Sequence, residues 1–193
     1  MLGRTPLDAP ERQQEVFAAV LGVLAEVGYA RFNMDLVAGR ARASKASLYQ
    51  RWPSKARLIT DALKANLPEL SQPDEGTFAE DVRQILLAWG EPMPFDTAGI
   101  FLGLLEGSRQ DADLACLREE HVDRAYTEHL RVAVDRAKAR GELPERLDAD
   151  VLITALISTF VLRSEEQGVI EGIVDGLLRP LIGTFRTKQL VKE

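Results

Sequence analysis

The sequence predicts an all-α protein of about nine helices, a small N-terminal three-helix unit followed by a larger helical bundle. Three observations carry that expectation. Apolar residues recur at helical spacing along most of the chain. No stretch alternates apolar and polar residues between turn residues, as hairpins require. Ser, Asn, Asp, Gly and Pro fall where helices start and stop. The 193 residues, 46 % apolar and 28 % charged, suit a globular chain with one large domain or a small domain joined to a larger one.

The first helix is expected to open at Asp8, with Pro10 in its first turn and Glu11 at capping-box distance. Val16, Val20, Leu24 and Val27 make its apolar stripe, and Gly28 is expected to close it as a left-handed C-cap. A short second helix follows, N-capped by Asn33, with Leu36, Val37 and Ala41 facing inward. Ser44 reads as the N-cap of a third helix through about Gln50, anchored by Leu48. Pro53 interrupts it, and Ser54 restarts a fourth helix through Leu58, Ile59, Leu63 and Leu67. Residues 68–76, rich in Pro, Ser, Asp and Gly, read as a linker. Further helices are expected near 77–90, 97–109, 112–140, 148–166 and 169–186. Glu91-Pro92-Met93-Pro94, Gly141-Glu142-Leu143-Pro144 and Glu166-Gln167-Gly168 punctuate them.

The net charge of −6 conceals an asymmetry. Residues 1–58 carry nine basic and five acidic side chains, the remainder fifteen and twenty-five. Residues 36–60 hold six basic side chains and no acidic one, which suggests a polyanion-binding head on an acidic body. The single cysteine, Cys116, excludes an intramolecular disulfide and fits a reducing compartment. The N-terminal residues lack the apolar core of a signal peptide, and no apolar run reaches the length of a membrane span. A cytoplasmic location without membrane contact is therefore expected.

The informative segment runs from Asn33 to Lys55. Two short helices with a tight turn between them are the layout of a helix-turn-helix, whose second helix lies in the major groove of DNA. The outward residues of that second helix, Lys45, Ser47, Tyr49, Gln50 and Arg51, all hydrogen-bond to bases or phosphates readily. The string Ser44-Lys45-x-Ser47-Leu48-Tyr49-x-x-Trp52-x-Ser54-Lys55, preceded by Gly28-Tyr29, resembles the DNA-binding head of TetR-type (tetracycline-repressor-like) regulators. The resemblance covers about residues 10–58. It implies a DNA-binding domain over 1–58 and a ligand-binding and dimerisation domain over 59–193.

Carried over residue by residue, the resemblance implies that Tyr49 and Lys55 hold backbone phosphates. It places Lys45 and Ser47 at base edges and Gln50 or Arg51 at base or backbone. Ser44 caps the reading helix. Asn33 stands where the family usually has a threonine that caps the second helix and reaches a phosphate. Leu48 and Trp52 are packing residues. Arg42 departs from the pattern: the family commonly has glycine there, and a left-handed non-glycine residue costs on the order of 1 kcal/mol. Arg42 is carried as a candidate DNA contact.

The body is read more coarsely. The helices near 148–166 and 169–186 are apolar around most of their circumference and need cover on more than one side. The resemblance implies that two such helices per subunit pack as a four-helix dimer interface, here through Leu152, Leu156, Phe160, Ile170, Ile173, Val174, Leu177 and Leu181. Pocket candidates are Trp89, Met93, Phe95, Phe101, Leu105, Cys116, His121, Tyr126 and Phe160, mostly apolar with a few polar handles. They lean toward an apolar or aromatic effector. Cys116, His121 and His129 lack the i, i+3 or i, i+4 spacing of a helical metal site, so no metal and no cofactor are expected.

No nucleophile elbow, phosphate-binding glycine loop or metal-ligand motif supports an enzyme. The implied function is a repressor that binds a pseudo-palindromic double-stranded operator as a homodimer and leaves it when a small molecule binds. The alternative is a helical small-molecule-binding protein without operator binding.

Overall fold

The computed structural model describes residues 9–66, 72–90, 97–163 and 166–190, with no side chain described at 97 or 186–190. Every regular element among them is helical. The helices are α1 (Pro10–Arg31), α2 (Met34–Arg40), α3 (Lys45–Arg51), α4 (Lys55–Ala65), α5 (Phe78–Trp89), α6 (Thr97–Gly107), α7 (Ala112–Arg118), α8 (Arg124–Ala139), α9 (Ala149–Leu162), α10 (Val169–Ile173) and α11 (Arg179–Leu190). A π-helical turn at Glu119–Asp123 joins α7 to α8, and another at Val174–Leu178 joins α10 to α11. The described residues thus form nine continuous helices, as the sequence predicts. None is long and apolar enough to cross a membrane.

The helices divide between two compact units. The first contains α1–α4 with α6 and α7. Here α1 packs on α2, α4 and α6, so it buries Val16, Phe17, Val20, Leu21, Val23 and Leu24. That face is wider than the single expected stripe, and Val27 is only half-buried. Three neighbours, rather than one, explain the width. Asp8 and Leu67 lie outside the described residues; the helix starts at Pro10 with Ala9 at the N-cap and no side-chain cap. Gly28 departs from the expected left-handed cap. Its φ of 69° and ψ of 170° lie in a region essentially restricted to glycine. The chain then makes one more turn, closed by the Phe32 N–H donating to the carbonyls of Gly28 and Tyr29.

In α2 the inward residues are Met34, Val37 and Ala41, which are buried. Leu36, expected inside, is 42 % exposed. A seven-residue helix offers its neighbour only the narrow face through i, i+3 and i+7, and Leu36 lies off it.

The second unit contains α5 and α8–α11. Phe78, Val82, Ile85 and Leu86 meet Leu130 and Val134, Leu152 and Leu156, and Ile173, Val174 and Leu178 in its core. Burying each such side chain contributes about 1.5–3 kcal/mol before the entropy of ordering it. The Arg140–Pro144 stretch is locked to α5. Arg140 donates through Nη2 to Asp81 (3.0 Å) and through Nε to Glu142 (2.6 Å), and both carboxylates are buried. Glu142 also accepts from the Phe78 N–H (3.0 Å), one of the donors left unpaired at the start of α5.

Candidate nucleic-acid interface

The α2–turn–α3 segment is built by its own polar side chains. Asn33 Oδ1 accepts from the N–H groups of Asp35 and Leu36, each at 3.1 Å, and opens α2 as expected. At the other end the Ala43 N–H donates to Ala38 (2.9 Å) and the Arg42 N–H to Gly39 (3.3 Å). This is a Schellman closure, which places a left-handed residue between the two donated bonds. That residue is Arg42, with φ of 48°, alone among the described non-glycine residues in having a positive φ. The turn keeps the geometry that glycine serves and accepts the strain.

Arg12 of α1 braces this turn. Its Nη2 donates to the carbonyls of Ala41 (2.6 Å) and Arg42 (3.1 Å), and its Nη1 pairs with Glu15. Sequence reasoning missed Arg12, because a contact across about thirty residues leaves no local signal.

Ser44 Oγ accepts from the Ser47 N–H (3.0 Å) and shares a 2.6 Å hydrogen bond with the Ser47 hydroxyl. Leu48 and Trp52 are buried, Trp52 with its ring 5.7 Å from that of Phe17. With those two turned inward, Lys45, Ala46, Tyr49, Gln50 and Arg51 face solvent. Tyr49 is 46 % exposed, a large aromatic left on a polar surface. The Lys45 ammonium sits 2.8 Å from Asp35, whose hydrogen bond and charge push it above its ordinary value. Arg42 and Asn33 are exposed beside this face.

Ser54 caps α4 by accepting from the Arg57 N–H, and the next residue is the half-buried Lys55. Lys55 Nζ lies 4.1 Å over the Tyr29 ring and donates to the Tyr29 carbonyl (3.4 Å). Lys45 and Tyr49 therefore share one row of α3, with Gln50 next to it. Arg51 lies across Leu48 with its guanidinium 5.7 Å over the Trp52 ring, and the Ser47 hydroxyl is engaged locally.

The chain is similar to known proteins over most of its length. The model of bacterial regulatory proteins of the tetR family matches residues 17–62, and that of the tetracyclin repressor-like C-terminal domain matches 72–168. An uncharacterized HTH-type transcriptional regulator of Mycobacterium tuberculosis is 31 % identical over 176 residues, covering 88 % of this chain and 87 % of that protein. The chain belongs to the TetR family of transcriptional regulators. The DNA-binding transcriptional repressor TetR of Mycobacteroides abscessus is 30 % identical over 148 residues, 73 % of this chain and 75 % of that one. Among solved structures, the regulator FadR from Bacillus subtilis, in complex with stearoyl-CoA, superposes with a TM-score of 0.66 at 16 % identity. That match covers 88 % of this chain and 97 % of that one.

The body of this TetR-family chain holds the other expected residues. Trp89, Tyr126 and Phe160 come together: Trp89 lies 5.0 Å from the Tyr126 ring and 6.0 Å from that of Phe160, edge to face in both cases. Trp89 Nε1 is buried and meets no acceptor among the described residues. Burial pushes the Tyr126 phenol up to about 12. Phe101, Leu105, Cys116 and His121 belong to the other compact unit. There Cys116 and Leu105 are exposed, and buried His121 faces Asp61 with Nδ1 at 3.3 Å. Met93 and Phe95 lie outside the described residues. No group of three or more His, Cys, Asp or Glu among the described residues converges as metal ligands.

Of the expected dimer residues, Leu152, Leu156, Ile173 and Val174 are buried in the chain's own core. Phe160, Ile170 and Leu181 are half-buried, and Leu177 is 43 % exposed. The surface beside them is uncharged. On α9 it runs through Val151, Thr154, Ala155, Ser158 and Leu162, and on the last helix through Gly172, Gly176, Leu177, Pro180 and Thr184. The neighbouring charged row, Glu171, Asp175 and Arg179, is paired within the chain to Arg83 and Glu80.

Proposed function

We propose that the chain is a homodimeric repressor that reads a pseudo-palindromic operator through α3 and is released from it by a small apolar or aromatic effector. The observation that carries this reading is the exposed side of α3, with Lys45 and Tyr49 in one row, Gln50 next to it and Arg51 at the far edge. Leu48 and Trp52 hold the helix from behind. Lys55, at the capped start of α4, and Asn33, at the start of α2, flank that face for phosphate contact, where helix N-terminal N–H groups assist. Arg42 adds a charge at the turn. A two-fold dimer presents two such faces to successive major grooves.

The uncharged exposed rows on α9 and the last helix support dimerisation, since Val151, Leu162 and Leu177 stand exposed among small residues that let a partner helix approach closely. The Trp89–Tyr126–Phe160 cluster supports an effector with aromatic or apolar bulk, and a ligand acceptor on Trp89 Nε1 would remove the cost of a buried, unpaired donor. The stearoyl-CoA complex of a protein with this fold supports the same use of the body. Release follows if the effector binds more tightly to the conformer whose heads are mis-spaced. A regulatory rather than catalytic role and a cytoplasmic location accompany this reading.

The test is selection of bound sequences from a random duplex library by the purified full chain at two salt concentrations. A pseudo-palindrome bound with salt-sensitive affinity is the expected result. No enrichment at either salt, before or after refolding to strip a co-purified ligand, would replace this reading with that of a ligand-binding protein without an operator.

A further inference from the structure

We infer that Tyr29 is the positioning residue for Lys55, and that Asp111 at the start of α7 holds Tyr29 in that role. The inference rests on the reading of Lys55 as a phosphate contact and adds what sets its place. Three linked contacts carry it, all within one compact unit. Lys55 Nζ lies 4.1 Å over the Tyr29 ring and donates to the Tyr29 carbonyl at 3.4 Å. An ammonium has three N–H donors, so this tether leaves two for a phosphate. The Tyr29 hydroxyl donates to Asp111 Oδ2 at 2.5 Å. Asp111 Oδ1 in turn accepts from the Leu114 N–H at 3.0 Å, capping α7.

A lysine on open surface loses its rotamer freedom when it grips a phosphate, which weakens the contact. Lys55 has already lost much of that freedom against the Tyr29 ring. The ring itself has little room, being only 6 % exposed. Behind it stands Gly107 of α6, where a Cβ would come within 2.5 Å of Tyr29 Cδ1. A phenol that donates to a carboxylate gains electron density on its ring, which strengthens its hold on a cation. Burial and then the Asp111 bond push the Tyr29 phenol well above its ordinary range. Tyr29 first, then the Leu114 N–H, hold the Asp111 carboxyl below its own. The chain of contacts is therefore closed at neutral pH. Any shift of α7 that withdraws Asp111 loosens Tyr29, and with it the cation at the head of α4.

The plainer account makes Tyr29 a core ring and Asp111 a helix cap, with Lys55 a bystander. The two separate in a double-mutant cycle on the full chain, measuring affinity for the selected operator duplex across salt. Lys55→Ala should weaken binding about tenfold and lower the salt slope by about one. Tyr29→Leu should cost about as much, and Tyr29→Phe or Asp111→Asn about threefold. None of the three should weaken binding further once Lys55 is alanine. Equal losses in the native and Lys55→Ala backgrounds would overturn the inference, because damage to packing does not depend on Lys55. So would unchanged affinity in all three Tyr29 and Asp111 variants while Lys55→Ala still weakens binding. Should Tyr29→Leu fail to fold, Tyr29→Phe and Asp111→Asn decide the matter. An unchanged affinity and slope for Lys55→Ala itself would instead remove the phosphate reading, and the inference with it.

Discussion

Two helix ends in this chain close with the same hydrogen-bond pattern but on different residues. At the end of α8 the Gly141 N–H donates to Lys138 and the Glu142 N–H to Ala137, with glycine at a φ of 71°. At the end of α2 the equivalent bonds run from Arg42 to Gly39 and from Ala43 to Ala38, with arginine at a φ of 48°. The first turn is relaxed at its glycine and fixed by the ion pairs of Arg140 with the buried carboxylates of Glu142 and Asp81. The second is strained at an exposed arginine and braced from behind by Arg12. One turn is built for the stability of the body, while the other holds a basic side chain beside the face that we propose reads DNA.

The strongest way to break this contrast is to remove Arg140. Arg140→Ala leaves Asp81 and Glu142 buried without their cation, and such a loss typically costs about 3–5 kcal/mol. Chemical denaturation should show a loss of that size. A loss under about 1 kcal/mol would mean that water compensates the pair. The effect of Gly141→Ala is smaller, about 1–2 kcal/mol, because alanine must adopt a positive φ there.

Arg42→Gly should act with the opposite sign. Relief of about 1 kcal/mol of strain is partly offset by the greater freedom of glycine in the unfolded chain, leaving a gain of about 0.5 kcal/mol. Operator affinity of the same variant should fall a few-fold, as loss of one phosphate contact predicts. A more stable variant that binds as tightly as the native chain would show that Arg42 is tolerated rather than used.

The smallest expected effect is on pH dependence. The Asp111 carboxyl is held below its ordinary value, first by the Tyr29 hydroxyl and then by the Leu114 N–H. Its contribution to stability is therefore present above its unfolded value, about 3.9, and is lost as pH falls through the lower folded value. Melting temperature should drop more steeply below about pH 4 in the native chain than in Asp111→Asn. Parallel curves would remove Asp111 from the account.

The features legible in the sequence are those that bond to their own neighbourhood. Asn33, Ser44 and Ser54 cap helices two or three residues away, and residue type and spacing suffice to find them. At residue 42 the family pattern marks the place where a left-handed glycine is usual, but the arginine leaves open whether the turn changes or accepts the strain. The φ of 48° decides for the latter. What stayed hidden depends on which helices meet. Tyr29 reaches Asp111 across 82 residues, and Glu142 reaches the Phe78 N–H across 64. The same limit explains Leu36, whose helix was found but whose facing depends on α1. It also explains Leu152, Leu156, Ile173 and Val174: a helix apolar all round does not reveal which side meets its own core and which side stays bare.

The most direct measurement is a titration of the selected duplex with native and Tyr49→Phe protein across a range of salt. Tyr49 is half exposed on α3, so losing its hydroxyl leaves folding untouched. The account predicts several-fold weaker binding by Tyr49→Phe at every salt concentration, with an unchanged melting temperature. Equal affinity of the two proteins throughout would contradict it, and would move the DNA-reading surface off the outward face of α3.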